Sequence, residues 1–258
     1  MPDETKSLVQ QQFGEHARAY TTSTGHAKGK SLERLVSLTV PLADWRVLDV
    51  ATGGGHTALA FSQHVRLVVA ADLTGPMLGA AREFLLGKSA ANVRFTQSDS
   101  EQMPFRGDAF DCVTCRIAAH HFSSIEQFVK ECWRVLVPGG VLALTDNVVS
   151  GEARIAKYVN AFEKLRDPSH HWAYSTDDWQ ATLQSAGFTG LRAETFEKDI
   201  DFADWAGRMG VTGDNLVRLQ AMLVRAPADS AGWLRPSEVS GRLVFTLAEM
   251  VLIGHKAV

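Results

Sequence analysis

Short β-branched, apolar runs alternate with helical spacing along the first 150 residues, and each alternation carries its own boundary signals. The pattern predicts helices over 4–20 and 28–40, then strand 46–51, helix 55–64, strand 66–72, helix 75–87 and strand 92–97. Strand 110–115, helix 124–136 and strand 140–147 follow. Strand and helix taking turns in this way argues for βαβ units and an α/β sheet. Short right-handed crossovers place ligands outside the carboxyl ends of such strands, where the strand order reverses, so the residues just after each strand are the ones to interrogate.

Beyond Ser150 the periodicity loosens. It predicts a helix over 152–166, a segment "RDPSHHWAY", a helix opening at "STDDW" and ending at Gly187, a strand over 188–198 and helices within 201–225. "RAPADSAGWLRPSE", with its Pro, Gly and Ser, reads as a loop, and "GRLVFTLAEMVLIGHKAV" reads as a final strand that completes the sheet. No repeat and no low-complexity tract interrupts the chain, so a single domain is expected.

The stretch "RVLDVATGGGHTALAF", Arg46 to Phe61, runs from a strand through a glycine cluster into a helix. Three consecutive glycines cost backbone entropy that a plain connection does not demand, so the turn brings bare backbone close to a ligand. Written as G-x-G-x-x-A from Gly53 through Gly55 to Ala58, with Asp72 at ribose-gripping spacing, it suits a nicotinamide cofactor. Asp49 argues the other way, because a carboxylate four residues before Gly53 repels a pyrophosphate and favours a cationic ligand. S-adenosylmethionine carries an ammonium and a sulfonium and no phosphate.

Composition narrows the partners. The 258 residues are 45% hydrophobic with a formal net charge of −3 and interspersed charges, which leaves no electrostatic footprint for nucleic acid and makes a small-molecule substrate the default. "MPDETKSLVQQQF" lacks the features of a signal peptide, and no apolar run approaches the roughly 18 residues of a membrane span, so a cytoplasmic protein is expected. Cys112 and Cys115 form a C-x-x-C, but they lie in an apolar strand and, with Cys132, read as free core thiols. No histidine and acid cluster has convincing metal-ligand spacing, and no metal is expected.

"VLDVATGGGHTALAF", "VVAADLTGPMLGAAR", "SDSEQMPFRGDAFDCVTCRIAAHHF" and "RVLVPGGVLALTDNV" occur in the order and spacing of class I S-adenosylmethionine-dependent methyltransferases, and the chain resembles the group related to the ubiquinone and menaquinone methyltransferases. "FGEHARAYTTSTGH" is similar to that family's cofactor-covering helix, while Ala51 stands where the family often has glycine. The resemblance implies a Rossmann-like fold, a seven-stranded, mostly parallel sheet with helices on both faces. It also implies a division into covering helices at 1–40, a cofactor-binding core at 41–150, and a substrate wall with the closing strands at 151–258.

Carried over residue by residue, the resemblance implies that Asp49, Gly53 and Gly55 hold the methionine end of S-adenosylmethionine, with Ala51 and Thr52 also among its binding residues. Asp72 would accept from the ribose hydroxyls, Leu73 and Met77 would pack near the adenine, and Asp99 with Ser100 would meet its amino group; a solvated loop acid is the bland reading of Asp99. Arg116, Ile117 and Ala118 would lie beside the methionine moiety, and Tyr20 with His26 would fold over the bound cofactor. Small-molecule O-methyltransferases of this group place histidines after strand four and an acid after strand five, which points to His120 or His121 as base and Asp146 as its orienting acid. The alternative is that one histidine caps the next helix and the other packs.

His56 is expected at the helix start near the cofactor. His170 and His171 read either as substrate wall or as polar surface loop, and Trp172, Tyr174 and Trp179 either as an aromatic acceptor pocket or as core. The expected activity is methyl transfer to a small molecule at oxygen or an activated carbon. An NAD-dependent oxidoreductase and a cofactor-binding protein without methyl transfer stay open, as does a homo-oligomer.

Overall fold

Val47, Leu48 and Val50 are buried on both sides of "RVLDV", which is what a strand covered by helices on each face requires. The computed structural model describes residues 4–22 and 30–258, with side chains at 15–22 outside the description. Helices α1 (Glu4–Thr22) and α2 (Lys30–Thr39) precede β1 (Arg46–Val50), α3 (His56–Ser62), β2 (Leu67–Asp72), α4 (Gly75–Gly87) and β3 (Val93–Gln97). Next come β4 (Phe110–Arg116), a 3₁₀ turn at Ala119–His121, α5 (Ile125–Val135) and β5 (Leu136–Val148). The remainder comprises α6 (Ala153–Arg166), α7 (Thr176–Ser185), β6 (Phe188–Asp201), α8 (Phe202–Gly207), α9 (Gly213–Val224), α10 (Ala228–Leu234), β7 (Ser237–Val239) and β8 (Arg242–Lys256).

The strands form one sheet in the order β3-β2-β1-β4-β5-β8-β6, with β7 paired to β8 as an eighth strand. The first five strands in the order are parallel, while β8 runs antiparallel between β5 and β6. The mostly parallel α/β expectation therefore holds, with one short strand more than the seven expected. Order reverses between β1 and β4, and the crevice at their carboxyl ends is the topological switch point.

One face of the sheet packs Leu48, Val113, Leu142 and Leu252 against Phe128 and Cys132 of α5 and Trp179 of α7. The other packs Val47, Cys112, Ala143 and Val251 against Leu35, Phe61 and Leu85. A third cluster, with Phe162, Trp205 and Phe245 at its centre, joins α6, α8, α9 and α10 over the end of β8. Caps fix where the helices on the first face begin: the Ser124 hydroxyl accepts from Gln127 N, and Ser175 with Asp178 makes a capping box on α7.

Two expectations need correction. "RAPADSAGWLRPSE" is not all loop, because Pro227 leads into α10, whose Ser230 and Leu234 are buried. β5 begins at Leu136 rather than near 140, since Phe110 pairs with Leu136 before a register shift brings Cys112 opposite Val141.

Candidate functional site

The glycine turn is held from below by two carboxylates. Thr52 Oγ1 donates to Asp49 Oδ2 at 2.6 Å, and Thr114 Oγ1 donates to Oδ1 at 2.7 Å. Burial pushes the Asp49 carboxyl up to about 6, and those two hydroxyl bonds and the nearby Arg116 guanidinium only partly oppose it. Asp72, at the end of β2, accepts from Gly53 N at 3.0 Å and from Thr74 N at 2.9 Å, while burial raises its pKa.

The turn itself is strained. Ala51, standing where glycine is common in the group it resembles, sits at φ 50, and Gly53 and Gly55 sit at φ 53 and 83. A Cβ on Gly55 would lie 3.0 Å from Leu85 Cδ1, so there both backbone and packing demand glycine. After β4, Ile117 is held at φ 52, a costly geometry for a β-branched residue, by its N–H donating to Thr145 O at 2.7 Å.

These loops surround a cleft of about 970 Å³ including its open mouth. Its wall contains Ala51, Thr52 and Gly53 from the turn, Asp72, Leu73 and Met77 after β2, Asp99 and Ser100 after β3, and Arg116, Ile117 and Ala118 after β4. Asp49 and Gly55 are not on that wall; Asp49, 1% exposed, lies beneath the turn and shapes it. The side chain of Tyr20, and His26, lie outside the described residues.

Sequence reasoning placed the N-terminal helices over the cofactor but did not single out the side chains of α1 that line the cleft. Lys6, Val9 and Phe13 close one side of the cleft, joined by Thr74, Glu101, Phe122 and Ser123. Lys6 Nζ lies 2.8 Å from both Asp99 Oδ2 and Glu101 Oε2. Burial disfavours the Lys6 charge, but these bonds outweigh it and raise its pKa. Glu101 in turn accepts from Ser123 N at 2.6 Å and Ser124 N at 3.1 Å, which ties α1 to the start of α5. The helix-start expectation for His56 matches its position, as it also lines the cleft.

The two adjacent histidines part company. His120 Nδ1 is 2.6 Å from Asp146 Oδ1, and its backbone N–H donates to Oδ2 at 2.8 Å, so neighbouring strands do bring this pair together. His121 is the one on the cleft wall, its ring edge-on to Phe13 of α1 at 5.0 Å. Its Nδ1 faces Ser169 O at 3.1 Å and Ser169 Oγ at 3.2 Å rather than Asp146.

Burial alone would lower the His120 pKa, yet the Asp146 charge and hydrogen bond outweigh it and raise it. His121 is driven down to about 4 by burial and then by the His120 charge beside it. His170 belongs to the same group, buried, with Nε2 2.8 Å from Asn160 Oδ1 and its pKa depressed to about 2 by burial and the neighbouring histidines. The surface-loop reading thus fails for His170 and fits His171, which is exposed. Trp179 and Tyr174 pack into the core under α7, and Trp172 packs against the third cluster, so no aromatic acceptor pocket forms from them. Among the described residues no cluster is arranged to hold a metal ion, and no helix is long and apolar enough to cross a membrane. Cys112, Cys115 and Cys132 are free and buried.

A family profile described as "Methyltransferase domain" matches residues 48–144, the span from β1 through most of β5. The Bacillus subtilis methyltransferase YcgJ is 36% identical over 202 residues, which cover 78% of this chain and 80% of that protein. A crystal structure of a Bacillus halodurans protein described as a methyltransferase superposes with a TM-score of 0.85 at 39% identity, covering 89% of this chain and all of that one. A ubiquinone/menaquinone biosynthesis C-methyltransferase of Pseudomonas fluorescens is 37% identical over 121 residues, 47% of its own length.

Proposed function

Given that the chain belongs to the S-adenosylmethionine-dependent methyltransferases, we propose that it methylates a small molecule at oxygen or at an activated carbon. The observation that carries the reading is His121, neutral, buried and on the wall of the same cleft whose turn and strand ends suit the cofactor.

The residues present fit S-adenosylmethionine. Each Asp72 oxygen spends one lone pair on a backbone N–H and keeps another for a ribose hydroxyl, and Leu73 and Met77 offer an apolar shelf to an adenine. Asp49, buried beneath the turn, would disfavour the pyrophosphate of NAD there. When bound, S-adenosylmethionine supplies an electrophilic methyl whose sulfonium leaves as a neutral thioether.

The chain's own work is alignment and proton removal. Phe13 and His121 exclude water at the cleft, and Ile117 and Ala118 present rigid backbone beside it. An acceptor hydroxyl gives its proton to His121 Nε2 as its oxygen electron pair forms the bond to the methyl carbon. A proton on an oxygen undergoing alkylation becomes strongly acidic, so a nitrogen of low basicity suffices, provided that it is unprotonated at working pH. The His120–Asp146 pair stands behind as a fixed hydrogen-bonded pair. In this reading 1–40 covers the cofactor, 41–150 binds it, and 151–258 supplies the acceptor side and the closing strands.

Calorimetry should show S-adenosylhomocysteine binding at micromolar strength, roughly −8 kcal/mol, with no comparable binding of NAD. Methyl-labelled S-adenosylmethionine incubated with the protein and a cell extract should label the low-molecular-weight fraction. Label appearing only in macromolecules would overturn the small-molecule reading.

A further inference from the structure

His121 Nδ1 has two neighbours, and both can only accept. The Ser169 carbonyl oxygen, 3.1 Å away, has no proton to give. The Ser169 hydroxyl, 3.2 Å away, already directs its single proton to Asp167 Oδ1 at 2.5 Å, a short charge-assisted bond. Ser169 N donates to the same Asp167 oxygen at 2.9 Å, so the carboxylate grips the serine by backbone and side chain together. Ser169 is 1% exposed and Asp167 5%, in a loop that is further pinned where His171 N and Trp172 N donate to His120 O at 2.8 and 3.0 Å.

We propose that Asp167 and Ser169 are positioning residues which hold the proton of His121 on Nδ1 and thereby leave the Nε2 lone pair for the cleft. Were the Ser169 hydroxyl free to turn, it could donate to Nδ1, and the ring proton would move to Nε2, the wrong edge for a base. Asp167 prevents this by occupying the hydroxyl. The acid that orients the base is then carried by the segment after α6, not by β5. The catalytic use of this arrangement rests on the reading of His121 as the base; the arrangement itself does not.

Nitrogen-15 correlation spectra of the full chain labelled in its histidine rings read the tautomer without any acceptor. At pH 7, His121 should be neutral with its proton on Nδ1. In Asp167→Ala no acceptor holds the Ser169 hydroxyl proton, which can then turn onto Nδ1, so an Nε2–H form should become a measurable fraction. Ser169→Thr, which keeps the hydroxyl, should retain the parental tautomer. Finding His121 as Nε2–H in the parent overturns the proposal, even if Asp167→Ala fails to fold. An unchanged tautomer in folded Asp167→Ala overturns it as well. The base reading falls separately, if His121→Gln labels the low-molecular-weight fraction at the parental rate while the parental tautomer is as expected.

Discussion

Asp72 serves two masters at one carboxylate, since the oxygens that face the cleft are also the acceptors for Gly53 N and Thr74 N. Replacing it with asparagine sets an amide donor against one of those backbone donors, and a buried unsatisfied group costs about 1–3 kcal/mol. Asp72→Asn should therefore lower the thermal midpoint by several degrees and weaken S-adenosylhomocysteine at least about tenfold in calorimetry. Parental affinity in the folded variant would remove Asp72 from the ribose. At this scale the sequence exposed residues but not their partners. Asp49 was visible as an acid beside the turn, yet only Thr52 and Thr114, the latter from a neighbouring strand, put it underneath. His120 and His121 are indistinguishable as letters, and what separates them is Ser169, far along the chain in a segment with no periodicity.

Helix α1 spans the cleft by a charge network, Lys6 between Asp99 and Glu101, with Phe13 against His121. Partly exposed pairs of this sort are worth about 0.5–1 kcal/mol together. Lys6→Met should thus speed amide exchange over residues 4–14 by about two- to fivefold, and S-adenosylhomocysteine should slow it in the parent. Exchange unaffected by either change would show that α1 is not coupled to the cleft. A helix at 4–20 was legible from spacing and its covering position from the resemblance, but its contacts were not, because Lys6 reads as an ordinary solvated charge until Asp99 and Glu101 are seen across from it. α10 escaped notice for the opposite reason: the Pro, Gly and Ser that usually punctuate loops flank and fill a helix of seven residues. The parallel strands, nearly continuous apolar runs, were the easiest elements to read.

Across the whole molecule, the buried histidines make stability depend on pH. His170, held near 2 in the fold against an ordinary value of 6.5, stays neutral where the unfolded chain takes up a proton. Its contribution is therefore fully present above pH 6.5 and is lost progressively as the pH falls below it. Asp49, raised to about 6, works in the opposite direction and is common to parent and variant. Between pH 7.5 and 5 the parent should lose on the order of 1–2 kcal/mol more stability than His170→Gln in urea titrations, and parallel losses would contradict the buried neutral ring. The βαβ succession was legible as far as β5, where each strand lies beside one already named. The placing of β8 was not, since nothing in its apolar run says which neighbours it takes.

That placing bears on how the chain is made. β5 and β6 are both paired to β8 and not to each other, so each presents an unpaired edge from the time it is synthesised until β8 emerges from the ribosome. β5 is apolar along most of its length, and its open edge is the kind that recruits strands from other chains. A nascent chain stalled anywhere between Val148 and Arg242 already contains every cleft loop and still lacks the strand that seals its sheet. Premature release in that window yields a species prone to aggregate, and this is the vulnerable interval in its biosynthesis.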